Sequence, residues 1–245
     1  MKIDFIVPVY KDFNLLKISV PEIKRFYPDS TVSVMSDGND DPNIKQFCDD
    51  NDLRYYLFSR SHVNETPGAF YRNMIKIYDD TKSDIIIKAD PDSRVCGNIK
   101  LTPYLQNTVF GTFFDSTLDR KIYNGSNLLN IIRPRFIQNG IFGIGSSVMD
   151  TFKATKFFDD DVHLRERLNF FLSKGLGSPE IYALSTELLM AIACNDLKIP
   201  LHNHEDFYSI IYMKPLQRYF YNDVISNEEA ISNLKKFKFI HPIYE

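Results

Sequence analysis

The chain has 245 residues, 44% hydrophobic and 25% charged, with a net charge of −3 and a pI near 6.0. This is a globular composition, long enough for one large domain with a sizeable core. It excludes repeat and low-complexity architectures and a global basic field for non-specific nucleic-acid binding, leaving only a local basic patch. Cys48, Cys96 and Cys194 are odd in number and widely spaced, so neither a disulfide framework nor a zinc knuckle fits, and reduced thiols in a cytosolic protein are expected. The N-terminus opens on a strand pattern without a long apolar stretch, and no run approaches the length of a membrane span. No signal peptide and no spanning helix are therefore expected.

In chain order, Ile3–Val7 reads as a buried strand ended by Pro8, followed by a Val9-Tyr10-Lys11-Asp12 loop. Asn14 is placed to cap a helix carrying Leu15, Leu16 and Ile18, which Pro21 kinks or restarts. Thr31–Met35 is a second strand, closed by the turn signal Ser36-Asp37-Gly38-Asn39-Asp40. A short helix over Pro42–Asp50 and a strand over Leu53–Phe58 follow, then a helix over Ala69–Tyr78. Ile85–Lys88 is the next strand. Strands and helices alternating this way imply βαβ units and a parallel sheet.

Beyond Val95 the pattern loosens, which sets a soft boundary near residue 100. Val109–Phe114 reads as a strand, and residues 119–138 mix Arg120, Lys121, Arg133 and Arg135 with Tyr123 and Phe136. Gly140, Gly143 and Gly145 punctuate Ile137–Val148 and signal tight turns or close backbone approach. Helices are expected over His163–Lys174, Glu187–Asp196 and Asn227–Phe237, with a strand over Pro200–His204.

The chemistry concentrates where Ile85–Lys88 runs into Ala89-Asp90-Pro91-Asp92. Pro91 stops the strand, leaving two carboxylates just past its C-terminal end, the edge where open α/β sheets bind ligands. Carboxylates so close repel unless a cation or hydrogen-bond donors compensate, and a hard divalent ion holding substrate phosphates is one such partner. Asp-Pro-Asp is also ordinary turn chemistry, as is Asp37-Gly38.

Four motifs in order extend this reading: Phe5-Ile6-Val7-Pro8-Val9-Tyr10, Ser36-Asp37-Gly38-Asn39-Asp40, Gly68-Ala69-Phe70-Tyr71-Arg72-Asn73 and Lys88-Ala89-Asp90-Pro91-Asp92. Together they resemble the nucleotide-binding half of GT-A fold glycosyltransferases, closest to the family 2 type with its DxD motif, over about the first 95 residues. The resemblance implies an α/β GT-A domain spanning 1–245. Residues 1–99 would form a Rossmann-like nucleotide-sugar-binding half with a mostly parallel sheet, and residues 100–245 an acceptor-binding half. Pro8, Val9 and Tyr10 would form the loop under the nucleotide, and Asp37 would contact base or ribose. Arg72 would line the nucleotide pocket, Asp90 would face ribose or sugar, and Asp92 would ligate a Mn²⁺ or Mg²⁺ ion bridging the diphosphate, with Asp90 also a candidate ligand. The family's usual Asp-Asp-Gly-Ser is Ser36-Asp37-Gly38-Asn39 here, and Tyr71 stands for the usual Ala before Arg-Asn, which leaves the donor nucleotide open.

In the second half, Thr186-Glu187 resembles the place where inverting members carry an acid near a helix start, so Glu187 is the candidate general base. A first-turn Glu complementing the helix dipole is the alternative, and Glu180, Glu205 and Asp206 are reserves. His202 and His204 would share a strand face, and His204 and the late His241 are candidate metal ligands. Gly140–Ser147 resembles the central loop shaping the sugar and acceptor pocket.

The implied activity is metal-dependent transfer of a sugar from a nucleotide-sugar, expected to be UDP-linked, to an acceptor hydroxyl. The acceptor is expected to be a surface polysaccharide or lipid-linked glycan, with a modified DNA base as the alternative. A nucleotidyltransferase and a non-catalytic nucleotide-binding module are the rival classes. The expected location is cytoplasmic, with peripheral membrane association compatible.

Overall fold

The computed structural model describes residues 1–61, 65–113, 137–173, 182–209 and 239–241. The elements are β1 (Ile3–Val9), α1 (Phe13–Phe26), β2 (Thr31–Asp37), α2 (Pro42–Asp50), β3 (Arg54–Phe58), α3 (Ala69–Thr81), β4 (Ile85–Ala89) and β5 (Arg94–Val95). After a 3₁₀ turn at Pro103–Asn107 come β6 (Val109–Phe113), β7 (Ile137–Gly145), α4 (Ser146–Thr155), α5 (Asp161–Ser173), α6 (Tyr182–Asp196), β8 (Leu201–Asn203), β9 (Phe207–Ser209) and β10 (Phe239–His241). The expected helix over Asn227–Phe237 lies outside the described residues.

A seven-stranded sheet has the order β3-β2-β1-β4-β7-β6-β8, and a small sheet the order β5-β10-β9. The first four strands pair in parallel, as the βαβ rhythm predicts. The sheet as a whole is mixed, because β7 runs antiparallel to both β4 and β6. It passes without a break from the first hundred residues into the second half.

The central strands β1 and β4 are buried on both faces, which explains their near-continuous apolar sequence. Their alternation feeds two cores. Phe5, Val7, Ile85 and Ile87 face Leu16, Val20 and Ile23 of α1. Ile6 and Ile86 face the opposite core with Tyr71, Met74 and Ile77 of α3 and Leu188, Leu189 and Ile192 of α6. The α3 residues recur at helical spacing, so one stripe covers the sheet.

Asp4 of β1 lies in this second layer with no exposure. The Ser33 hydroxyl donates to its two carboxylate oxygens at 3.0 and 3.1 Å. Burial pushes the Asp4 carboxyl up to about 7, against the opposing pull of the Ser33 and Thr81 hydrogen bonds and the charges of Arg54 and Lys2.

Several sequence expectations are corrected. Pro8 does not end β1, which continues to Val9. Pairing with β4 stops at Ile6, so the missing proline N–H falls where the strand has an open side. Asn14 does not cap α1, since Asp12 occupies that position, and Pro21 sits inside one continuous helix. Asp41 and Pro42 start α2 as their types favour, the Asp41 carboxylate accepting from the Asn43 N–H at 2.8 Å. Residues 137–145 are a strand instead of a glycine-rich loop, and α4 follows directly. The glycines mark close approach: a Cβ on Gly143 would fall 2.0 Å from Phe110 Cζ, and one on Gly145 2.1 Å from the Gln106 carbonyl oxygen. Phe110 lies directly opposite Gly143, so its ring fills the place of the absent side chain.

Candidate functional site

The strand order places a topological switch point at β1 and β4. From β1 the chain crosses to β2 on one side, and from β3 it returns to β4 on the other. Open α/β sheets offer a crevice at the carboxyl ends of such strands. A cavity of about 380 Å³ occupies that position, lined by Pro8, Val9, Tyr10, Asp12, Leu15, Asp37, Asp90, Pro91 and Asp92. Pro8, Val9, Tyr10, Asp37, Asp90 and Asp92 were singled out by sequence. They come from three strand ends that are distant in the chain. Asp12 and Leu15 were missed, and their position just past β1 is the only signal the sequence offered.

Each wall is built by local chemistry. Gly38 takes φ +76° at the end of β2, and its N–H donates to the Phe58 carbonyl at 2.8 Å. Only glycine suits this bend, because a Cβ there would also fall 2.6 Å from Arg60 Cβ. The Asp37 carboxylate accepts from the Ser61 N–H at 2.7 Å. The Asn39 side-chain amide donates to the Tyr10 carbonyl and the Ser36 hydroxyl to the Asn39 carbonyl, tying the two loops together. The Arg60 guanidinium stacks over the Tyr10 ring at 3.8 Å.

On the β4 side, the Ser93 N–H donates to the Asp90 carbonyl at 2.9 Å and closes the Asp-Pro-Asp turn. The Asp90 N–H donates to the Gly140 carbonyl of β7 at 2.7 Å, anchoring the turn to the neighbouring strand. Lys88, only 1% exposed inside β4, brings its ammonium to 2.6 Å from the Asp90 carboxylate. Four carboxylates line the cavity, and the buried Lys88 ammonium pairs with one of them, that of Asp90. A lysine within an otherwise apolar strand is the signal that could have exposed this pairing, since buried lysines need a partner.

Arg72 is not among the residues lining the cavity. Its guanidinium forms a bidentate pair with Asp161 of α5, at 3.0 and 2.7 Å, and also donates to the Phe158 carbonyl. Asp161 accepts in addition from the Gly68 N–H at 2.9 Å. Arg72 therefore clamps the start of α3 to the start of α5. In this arrangement its guanidinium is engaged by Asp161 instead of facing the cavity. Its neighbour Tyr71 is buried, stacks on Phe158 with ring centroids 4.5 Å apart, and donates its hydroxyl to the Thr186 carbonyl of α6 at 2.7 Å.

His204 is 8% exposed, with its ring against Phe110, Phe207 and His202. The Asp206 N–H donates to its Nδ1 at 3.2 Å, and burial holds the imidazole below its usual range against the pull of Asp206. It does not line the cavity. The expected proximity of His202 and His204 is present, the rings lying 5.7 Å apart. His241 ends β10, and its side chain lies outside the described residues. Among the described residues, no group of three or more His, Cys, Asp or Glu side chains is gathered to hold a metal. Asp92, and Asp90 beside its pairing with Lys88, set carboxylate oxygens at one opening, the donor chemistry that a hard divalent cation would take.

Glu187 lies within α6, whose start at Tyr182 removes it from the first turn, and its side chain is outside the described residues. Ala183 and Leu184 are strong helix formers and carry the helix further back than the Thr-Glu signal suggested. Glu180 is also outside the described residues, and neither Glu205 nor Asp206 lines the cavity. Among the described residues no helix is long and apolar enough to cross a membrane. No protein-family model matches the chain, and no curated protein matches it.

Proposed function

We propose that the chain is a GT-A type glycosyltransferase. It takes a nucleotide-sugar, a UDP-sugar in the first instance, with Mn²⁺ or Mg²⁺, and passes the sugar to a hydroxyl of a surface polysaccharide or lipid-linked glycan at the cytoplasmic side. One observation carries the reading. The loop after β1, the end of β2 and the Asp-Pro-Asp turn after β4 meet around a single cavity at the sheet's switch point. Turn chemistry accounts for each motif locally, but not for four carboxylates sharing one opening.

In this reading Pro8, Val9 and Tyr10 support the nucleotide, Asp37 takes base or ribose hydroxyls, Asp90 faces ribose or sugar, and Asp92 ligates the cation. When bound, the cation neutralises the charge that grows on the departing diphosphate. Glu187 accepts the proton of the acceptor hydroxyl as its oxygen bonds to the anomeric carbon and the bond to the nucleoside diphosphate breaks.

A thermal-shift panel of nucleoside diphosphates and nucleotide-sugars, with and without Mn²⁺, tests the reading. A ligand that binds only the folded state at a hundred times its Kd stabilises by about 2.7 kcal/mol. Asp92→Ala is expected to abolish the Mn²⁺-dependent part of the shift and leave the unliganded melt in place; an unchanged shift refutes the assignment. Release of pyrophosphate would mark a nucleotidyltransferase instead, and binding without donor turnover a non-catalytic module.

A further inference from the structure

We propose that Arg60 is a positioning residue for the nucleobase: its guanidinium backs the Tyr10 ring from outside the cavity and holds that ring as a preset wall against which the base stacks. The inference rests on the reading above, in which Tyr10 supports the nucleotide, and adds a residue from the end of β3 to that same site.

The backbone delivers Arg60 to this place. Gly38 bends the end of β2, and its N–H donates to the Phe58 carbonyl at 2.8 Å. The Ser61 N–H donates to the Asp37 carboxylate at 2.7 Å. These two bonds pin the chain on either side of Arg60. Between them Arg60 packs against Gly38, so close that a Cβ on the glycine would fall 2.9 Å from the Arg60 backbone nitrogen. The next residue of the turn, Asn39, donates its side-chain amide to the Tyr10 carbonyl, so the β2 turn is tied to both partners.

The guanidinium carbon sits 3.8 Å from the centre of the Tyr10 ring, the contact distance of a stacked pair. A second cation at this ring, Lys11, is looser, with Nζ 5.1 Å from the centroid. Tyr10 lines the cavity and Arg60 is not among the lining residues, so the guanidinium covers the side of the ring turned away from the cavity. Arg60 is exposed and Tyr10 half-buried.

A planar guanidinium covers an aromatic face as a compact ammonium does not, and it has less hydration to shed. A tyrosine with nothing behind it would have to be ordered by the incoming ligand, which subtracts from affinity. With Arg60 in place, that ordering precedes binding. The segment 59–61 also fixes Asp37 through the Ser61 N–H, so the stacking wall and the acceptor for base or ribose are set together. At an exposed site a cation–π stack shifts an equilibrium by about two- to fivefold, which bounds what Arg60 adds to nucleotide affinity.

The test is a double-mutant cycle on UDP binding, read by titration calorimetry in Mn²⁺ for the wild type, Arg60→Met, Tyr10→Leu and the double variant. Arg60→Met is expected to weaken UDP by about two- to fivefold in the wild-type background. In the Tyr10→Leu background it is expected to change nothing, because the ring it acts through is gone. Arg60→Lys should fall between wild type and Arg60→Met. The circular dichroism melts of wild type and Arg60→Met should coincide. Ring-current shifts of the Arg60 side-chain protons, lost in Tyr10→Leu, report the stack without any ligand.

Unchanged UDP affinity in Arg60→Met overturns the proposal. Equal losses in both backgrounds also overturn it, since they place Arg60 on the ligand itself, and a loss that shrinks at high salt would assign it to the phosphates. If Arg60→Met fails to fold, Arg60→Lys in the same two backgrounds decides by the same criteria. If UDP binds wild type and the cycle shows no coupling, this inference alone falls. If the ring-current shift is present and UDP binds none of the proteins, the glycosyltransferase reading falls and takes this inference with it.

Discussion

Asp4→Asn separates a buried charge from a buried shape. Asp4 has no exposed surface, and burial pushes its carboxyl from the ordinary 3.8 up to about 7. The folded chain therefore holds a proton on Asp4 that the unfolded chain releases above about pH 4. The Asp4 contribution to stability is thus greatest below about pH 4, falls as pH rises from about 4 to about 7, and then levels off. At about 1.4 kcal/mol for each tenfold change in proton affinity, the loss by pH 8 is on the order of 4 kcal/mol. Asparagine keeps the shape and still accepts from the Ser33 hydroxyl, but carries no charge to desolvate. Urea unfolding at pH 5 and pH 8, followed by circular dichroism, is the assay. The wild type should lose stability between the two pH values relative to Asp4→Asn. With m values of about 1–3 kcal/mol/M, the relative midpoint displacement exceeds about 1 M. Parallel pH profiles for the two proteins would refute the argument, because they would place the Asp4 carboxylate in a well-compensated site.

Arg72→Ala should destabilise the fold by about 2 kcal/mol through loss of the charge-assisted bonds to Asp161, while UDP affinity stays within about twofold; selective loss of UDP binding would show that Arg72 leaves its clamp to serve the nucleotide. Gly143→Ala drives a methyl into the Phe110 ring and should cost about 1–3 kcal/mol in a urea melt, with a change near zero showing that the ring moves aside without strain. Glu187→Gln should retain donor binding and lower sugar transfer by about 10²–10⁴-fold in a donor-turnover assay; full activity would remove it as the base.

What could be read from sequence was the half in which strand and helix periods alternate. The strands of residues 3–89 carry apolar runs with Pro and Asp at or near their ends, and Pro8, Asp37, Asp90 and Asp92 among these line the cavity. The second half hid its organisation for physical reasons. In β7, Phe110 presses against Gly143 and the Gln106 carbonyl against Gly145, and in one dimension a close contact looks like a turn. Its antiparallel direction depends on a partner far away in the chain. Arg72 pointed to a ligand contact by its motif, but the carboxylate it meets, Asp161, belongs to a helix no local pattern links to it. Lys88 was visible as a charge in an apolar strand, yet its direction toward Asp90 required the sheet.

The ladder between β6 and β7 ends with Phe113 opposite Ile137. β6 runs the same way as β4, so both strands finish at the rim that carries the aspartates. Phe113 and Ile137, far apart in sequence, are thus held side by side at that rim by the last rung of the ladder. The aspartate turn is consequently braced from outside the parallel half: fraying of this rung would loosen β7, and with it the Gly140 carbonyl to which the Asp90 N–H is tied.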